Sequence, residues 1–254
     1  MHPQFSDILN ILNNSFIIFF YALFAGLIPA LLWLWFWLHE KDKHKEPVKV
    51  IFMVFLLGML GVFVSFILQK ALAIYFDFKI NDIGNFVRSS QNHQITNLIF
   101  VIIEEFIKFL CAYTVFFRTK VFDEPIDAFI YLMTAALGFA AMENSLYLVN
   151  PLINGDTINV IISSNLRFIG ANVLHVASSG LLALFIGYAF YKGKIIKELY
   201  TWIGLIFAVL LHWMFNILLI NHSNSTLFIF LSVWVVIIFL ILSLEKIKNL
   251  RIKA

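Results

Sequence analysis

The segment Val101–Leu110, reading VIIEEFIKFL, sets the strictest condition on how this chain can fold. It places Glu104, Glu105 and Lys108 inside an apolar run from about Ile95 to Phe117, long enough to cross a bilayer. An ionisable side chain at that depth costs about 2.5–3.5 kcal/mol even on the lenient insertion scale, and more when isolated. Lys108 stands at i+4 from Glu104 and i+3 from Glu105, so it can neutralise one of them within its own helix. The second carboxylate must be met from elsewhere in the chain. The fold therefore has to bring other polar side chains to this helix.

Composition supports a bilayer setting. The 254 residues are 61% hydrophobic and 13% charged, with a mean hydropathy of +0.91, whereas soluble domains carry about 25% charged residues. An integral membrane protein follows. The net charge of +3 is too small for a nucleic-acid partner, and the basic residues fall in loops. The single cysteine, Cys111, excludes an internal disulfide and a cysteine-rich zinc site, and is expected to pack as a small apolar residue. No lysine or arginine precedes the first apolar run, so that run lacks the n-region of a signal peptide and is expected to be retained.

Seven apolar runs can be read, at roughly 16–38, 50–76, 95–117, 126–149, 161–190, 199–220 and 226–244. Their length favours helices over buried strands, giving an all-α, polytopic helix bundle. The fifth run exceeds one crossing, so it tilts or begins nearer Leu166; Pro29 is expected to kink the first. Thirteen basic residues fall on one side: Lys41, Lys43, Lys45, Lys49, Arg118, Lys120, Lys192, Lys194, Lys197, Lys246, Lys248, Arg251 and Lys253. Lys79 and Arg88 fall on the other. This bias puts the N-terminus outside and the C-terminus in the cytoplasm. No repeat or linker divides the chain, so residues 1–254 read as a single integral membrane domain whose chemistry lies within the bundle. The largest outer loop, about 77–94, is too short for a domain.

Few ionisable groups are embedded. Among the acids they are Glu104, Glu105 and Glu143; among the histidines, His175 and His212; Lys108 and Arg167 complete the set. Asp127 reads as an inexpensive charge at the cytoplasmic start of the fourth run, and His2, His39, His44, His93 and His222 as solvated. Counting residues from the span ends places Glu104, Glu143, His175 and His212 at similar depth in the outer half of the bilayer, on four different helices. One shared site is expected. Phe139, Glu143 and Tyr147 share a helix face with Asn144 beside them; Arg167, Ala171, His175 and Ser179 form another, flanked by Asn172 and Ser178; His212 and Asn216 are one turn apart. Gly138, Ala140, Ala141, Gly170 and Ala171 allow close helix approach.

Each group has a structural reading beside a functional one. Glu104, Glu105 and Lys108 can be an interhelical ion pair, although one pair does not require two carboxylates. Glu143 and Asn144 can be a hydrogen-bond node, and Arg167 can either extend to the outer interface or pair, with Glu143 or a substrate carbonyl. The functional reading is hydrolysis: a glutamate base activating water, with histidines as metal ligands or charge stabilisers. Glu143, His175 and His212 have the His₂Glu composition of catalytic zinc sites, while His212 and Asn216 can instead donate to an oxyanion. HExxH is absent. So are Gly-x-Ser-x-Gly, an embedded Ser–Lys pair and an embedded aspartate, which disfavours serine and aspartyl mechanisms.

These residues carry a resemblance. Glu104-Glu105-Phe106-Ile107-Lys108 resembles the EExxK motif of the PrsW family of intramembrane proteases, and Gly138–Asn144 its GFxxxEN segment, preceded by an acidic-Ala element at Asp127-Ala128. Arg167 and His175 resemble its R…H helix, and Leu211–Asn216 its LHxxxN/D helix; the likeness covers about residues 95–220, the family-like catalytic core. A more distant similarity joins the type II CAAX prenyl endopeptidases and Abi-type membrane proteins, which usually carry histidine where Glu143 stands. The resemblance implies an endopeptidase in the bacterial cytoplasmic membrane that cuts a membrane-anchored protein substrate near the extracytoplasmic face. Its implied role is the first cut of an anti-sigma-factor-like protein in regulated proteolysis. It also implies a metalloprotease, with Zn2+ the expected ion, although the prenyl endopeptidases offer a metal-free glutamate mechanism. A transporter or ion-coupled carrier, a prenyl-peptide endopeptidase and a non-catalytic scaffold are the competing readings; no inverted repeat or full-depth polar stripe favours transport.

Overall fold

The computed structural model describes residues 5–39, 46–75, 80–82, 85–86, 93–118, 121–221, 225–248 and 250. Of the residues named above, Lys41, Lys43, Lys45, Lys79, Arg88, Lys120, Arg251, Lys253, His2, His44 and His222 lie outside these. Each expected run forms a helix: α1 (Phe5–His39), α2 (Val48–Tyr75), α3 (His93–Arg118), α4 (Asp127–Ile153), α7 (Lys194–Asn221) and α8 (Thr226–Lys248). The fifth run is a composite of α5 (Thr157–Leu166), a π-helical turn (Arg167–Ala171) and α6 (Asn172–Ala189). Helix α1 continues through Pro29. Within the outer loop, β1 (Ile80–Asp82) and β2 (Asn85–Phe86) pair antiparallel as a small ribbon, a departure from a purely helical chain.

Six of these elements are long and apolar enough to cross a membrane. Helix α3 is the exception by composition, because its three charges sit mid-helix, yet its 26 residues span about 39 Å. It packs between α2 and α7 and touches α4, so those charges face protein.

Helix α4 is the axis of the bundle. It packs against α1, α2, α3 and α6, and from Asp127 to Met142 every residue is buried. Such all-round burial requires close backbone approach. A Cβ on Gly138 would strike the Phe55 carbonyl of α2, and one on Gly58 would strike the Ala135 carbonyl of α4. The small-residue segment thus lets α2 and α4 meet backbone to backbone, with dispersion replacing the hydrophobic drive that lipid cannot supply. Asp127 is fully buried, not merely interfacial as its position implied. It accepts hydrogen bonds from the backbone N–H groups of Asp123 and Glu124, at 3.0 and 2.7 Å, which closes the turn entering α4.

Candidate active site

The expected polar residues converge. On α3, Lys108 and Glu105 are fully buried, and Lys108 Nζ donates to Glu105 Oε1 at 2.5 Å. The i+3 carboxylate is therefore the one neutralised. Glu105 Oε1 also accepts from Ser178 Oγ of α6 at 3.0 Å and from His212 Nδ1 of α7 at 2.7 Å. Its other oxygen, Oε2, is buried with no hydrogen-bond partner.

Glu104 is met by a residue that the sequence did not single out. Gln69 Nε2 of α2 donates to Glu104 Oε1 at 3.0 Å, while His212 Nε2 lies 3.8 Å from Glu104 Oε2. The Glu104 side chain keeps 18% exposure, whereas Glu105 is fully buried. Ser178 was read only as a flanking residue. The signal for Gln69 was available: Gly58, Gly61, Ser65 and Gln69 share one buried face of α2, and an amide at membrane depth needs a partner.

Glu143 lies on the other side of the pair of imidazoles. Arg167 Nη2 donates to Glu143 Oε1 at 2.9 Å, and His175 Nε2 donates to Glu143 Oε2 at 2.7 Å. Arg167 Nε also donates to Asn144 Oδ1 at 2.5 Å, and Asn144 Nδ2 to Asn172 Oδ1 at 2.8 Å. Arg167 stacks on Tyr147 at 4.5 Å from the ring centroid. Of the two alternatives for Arg167, pairing with Glu143 is the one observed. The π turn accounts for the reach. In an unbroken α-helix, Arg167 and His175 would diverge by about 80° over eight residues; one wider turn takes up most of that angle and aims both at Glu143.

Acceptor identities place a hydrogen on one nitrogen of each imidazole. An ionised carboxylate only accepts, so His175 carries hydrogen on Nε2 and His212 on Nδ1. The lone pair of His175 Nδ1 accepts from Lys108 Nζ at 2.9 Å. His212 Nε2 faces Glu104 Oε2 at 3.8 Å. The two rings meet edge to face with centroids 5.2 Å apart, and Phe139 walls the cluster, 5.7 Å from His175 and 5.3 Å from the Lys108 ammonium. Asn216 is half-buried one turn along α7 from His212 and, among the described residues, makes no hydrogen bond to the cluster.

The metal-ligand geometry differs from expectation in one member. Among the described residues, Glu105, His175 and His212 each offer a ligand atom within 4.8 Å of the others. Glu143 is outside that group because it is bound to the far nitrogen of His175. The set Glu105, His175 and His212 has two imidazoles and one carboxylate, the donors of a catalytic zinc site, and the unpartnered Glu105 Oε2 has a lone pair to give. These residues fit a metal. Glu143 would then be the outer-shell carboxylate that orients His175.

Comparison with known proteins places the chain in a family. Residues 46–242 match the model of the PrsW family intramembrane metalloprotease. Protease PrsW of Oceanobacillus iheyensis is 30% identical over 206 residues, covering 80% of this chain and 85% of that protein. Protease PrsW of Geobacillus kaustophilus is 28% identical over 203 residues, covering 79% and 80%. That of Clostridioides difficile is 27% identical over 233 residues, covering 88% and 89%. No solved structure matches. The matched segment contains every residue of the cluster, from Gln69 on α2 to His212 on α7, and the chain belongs to the PrsW family of intramembrane proteases.

Proposed function

We propose that this chain is a glutamate-dependent, metal-assisted endopeptidase of the bacterial cytoplasmic membrane. Its substrate is a membrane-anchored protein, of the anti-sigma-factor type, cut near the extracytoplasmic face. The observation that carries this reading is the partly exposed Glu104 carboxylate beside the buried Glu105, His175 and His212 group.

Glu104 is the base. Its Oε1 is held by Gln69, leaving Oε2 free to take a proton from water. The oxygen of that water bonds to the scissile carbonyl carbon, and protonated Glu104 then passes the proton to the nitrogen as the C–N bond breaks. Glu105, His175 and His212 would hold the ion, which when bound supplies Lewis-acid polarisation of the carbonyl. Glu143, fixed by Arg167, keeps His175 in the tautomer whose Nδ1 lone pair faces the site. Asn216, on the His212 stripe, would donate to the carbonyl oxygen as charge develops.

Depth supports the extracytoplasmic side, given the orientation from loop charges. Glu143 lies about 15 Å from the end of α4 and about 24 Å from its cytoplasmic start. His212 is about 14 Å from the end of α7 and about 27 Å from its start. The test is cleavage of a co-reconstituted single-span substrate. Wild type cuts it and Glu104→Gln does not, with protein level retained; turnover by Glu104→Gln at the wild-type rate would reject the assignment. Solute or proton flux lost in the same variant would favour a carrier instead.

A further inference from the structure

We infer that Lys108 is a displaceable internal cation: its ammonium and a divalent metal are alternative occupants of the cleft between Glu105 and His175. The inference rests on the metal-assisted reading and adds a step that metal loading must include. Lys108 Nζ bridges Glu105 Oε1 at 2.5 Å and His175 Nδ1 at 2.9 Å. These side chains supply two of the three potential ligands, and Nδ1 is the only lone pair His175 has left. A metal at that nitrogen needs a bond of about 2.0–2.1 Å, which leaves no space for an ammonium on the same lone pair.

The cluster also provides a place for the displaced group. Glu104 is one turn back on the same helix, at i−4 from Lys108, partly exposed, and holds a single hydrogen bond from Gln69. Rotation about the lysine stem moves the ammonium from one carboxylate to the other without moving α3. Glu105 Oε2, buried and without a donor, is the lone pair still to be satisfied once the ammonium leaves.

The test is Co2+ titration of chelator-treated, detergent-purified protein, followed by the visible absorption of the bound ion. Lys108→Met is expected to bind Co2+ at least tenfold more tightly than wild type, and Co2+ should raise its thermal midpoint more than that of wild type. Adding His175→Ala to Lys108→Met should abolish both gains. Lys108→Gln, which keeps a hydrogen-bond donor, carries the measurement if the methionine variant is not recovered. Wild type supplies a variant-free readout: acylation of Lys108, mapped by peptide mass spectrometry, should rise on loading with Zn2+. Equal or weaker Co2+ affinity in the Lys108 variants, or unchanged Lys108 reactivity, would overturn the inference. Cleavage that persists in chelator with no Co2+ bound by any form would remove this inference and the metal but leave the protease. Absence of cleavage under every metal condition would remove the protease reading whatever the Co2+ affinities are.

Discussion

Glu105→Gln separates the electrostatic role of Glu105 from its shape. The amide is isosteric and retains an oxygen for Ser178 Oγ and for His212 Nδ1–H. What it removes is the counter-charge of Lys108, a fully buried ammonium 2.5 Å from Oε1. Stranding one partner of a buried pair costs about 3–5 kcal/mol. The neutral lone pair of His175 and the Phe139 face are weaker than a carboxylate; a cation–π contact is worth about 2 kcal/mol or somewhat more when desolvated. In chelator-treated protein, unfolding followed by helical signal in a denaturing-detergent titration should report this loss. The double variant Glu105→Gln/Lys108→Met removes both charges and leaves a thioether of similar reach. Its stability should return to within about 1–2 kcal/mol of wild type, the remainder being the donor lost at His175. Proteolysis should not return. A double variant as unstable as Glu105→Gln alone would show that the loss does not come from the stranded ammonium.

Three further outcomes follow from the same contacts. Arg167→Lys keeps the charge but loses the fork that binds Glu143 and Asn144 together, so cleavage should fall about 10–100-fold with the helix content unchanged; an unaltered rate measured on the reconstituted substrate would contradict it. Gly138→Ala puts a methyl group against the Phe55 carbonyl and should destabilise the bundle by about 1–3 kcal/mol in the detergent titration, with α2 and α4 forced apart. Tyr131→Phe removes a hydrogen bond to Glu46 at the cytoplasmic end of α4. It should cost about 0.5–1.5 kcal/mol and leave cleavage untouched, because the proposed catalytic cluster is three turns away.

Much of this site was legible because the bilayer makes polar residues conspicuous. A glutamate in a run of leucines and phenylalanines is informative in a way that a surface glutamate is not, so Glu104, Glu105, Glu143, His175 and His212 stood out by cost alone. Helix number and approximate bounds followed from run length. Pairings were harder. Lys108 is one turn from both glutamates, and spacing alone does not choose between them; the choice of Glu105 depends on Ser178 and His212 loading the same oxygen. The ligand group took Glu105 in place of Glu143 because Arg167 draws Glu143 to the opposite nitrogen of His175. That reach depends on the π turn, and Arg167–Ala171 carries no local signal for one. Gln69 was within reach of sequence reasoning, since its stripe with Ser65 and two glycines marks a packed face. The outer ribbon was not, because strands of three and two residues leave no periodicity to read.

Activation of water by Glu104 for peptide cleavage in the outer half of the membrane can be read from the products of a single-span substrate reconstituted with wild type or with Glu104→Gln, mapped by mass spectrometry. Wild type is expected to give one new terminus near the extracytoplasmic end of the substrate span. With Glu104→Gln, the rate should fall about 10²–10⁴-fold while the unfolding midpoint is retained. Undiminished cleavage by the variant, or a cut at the cytoplasmic end of the span, would contradict it.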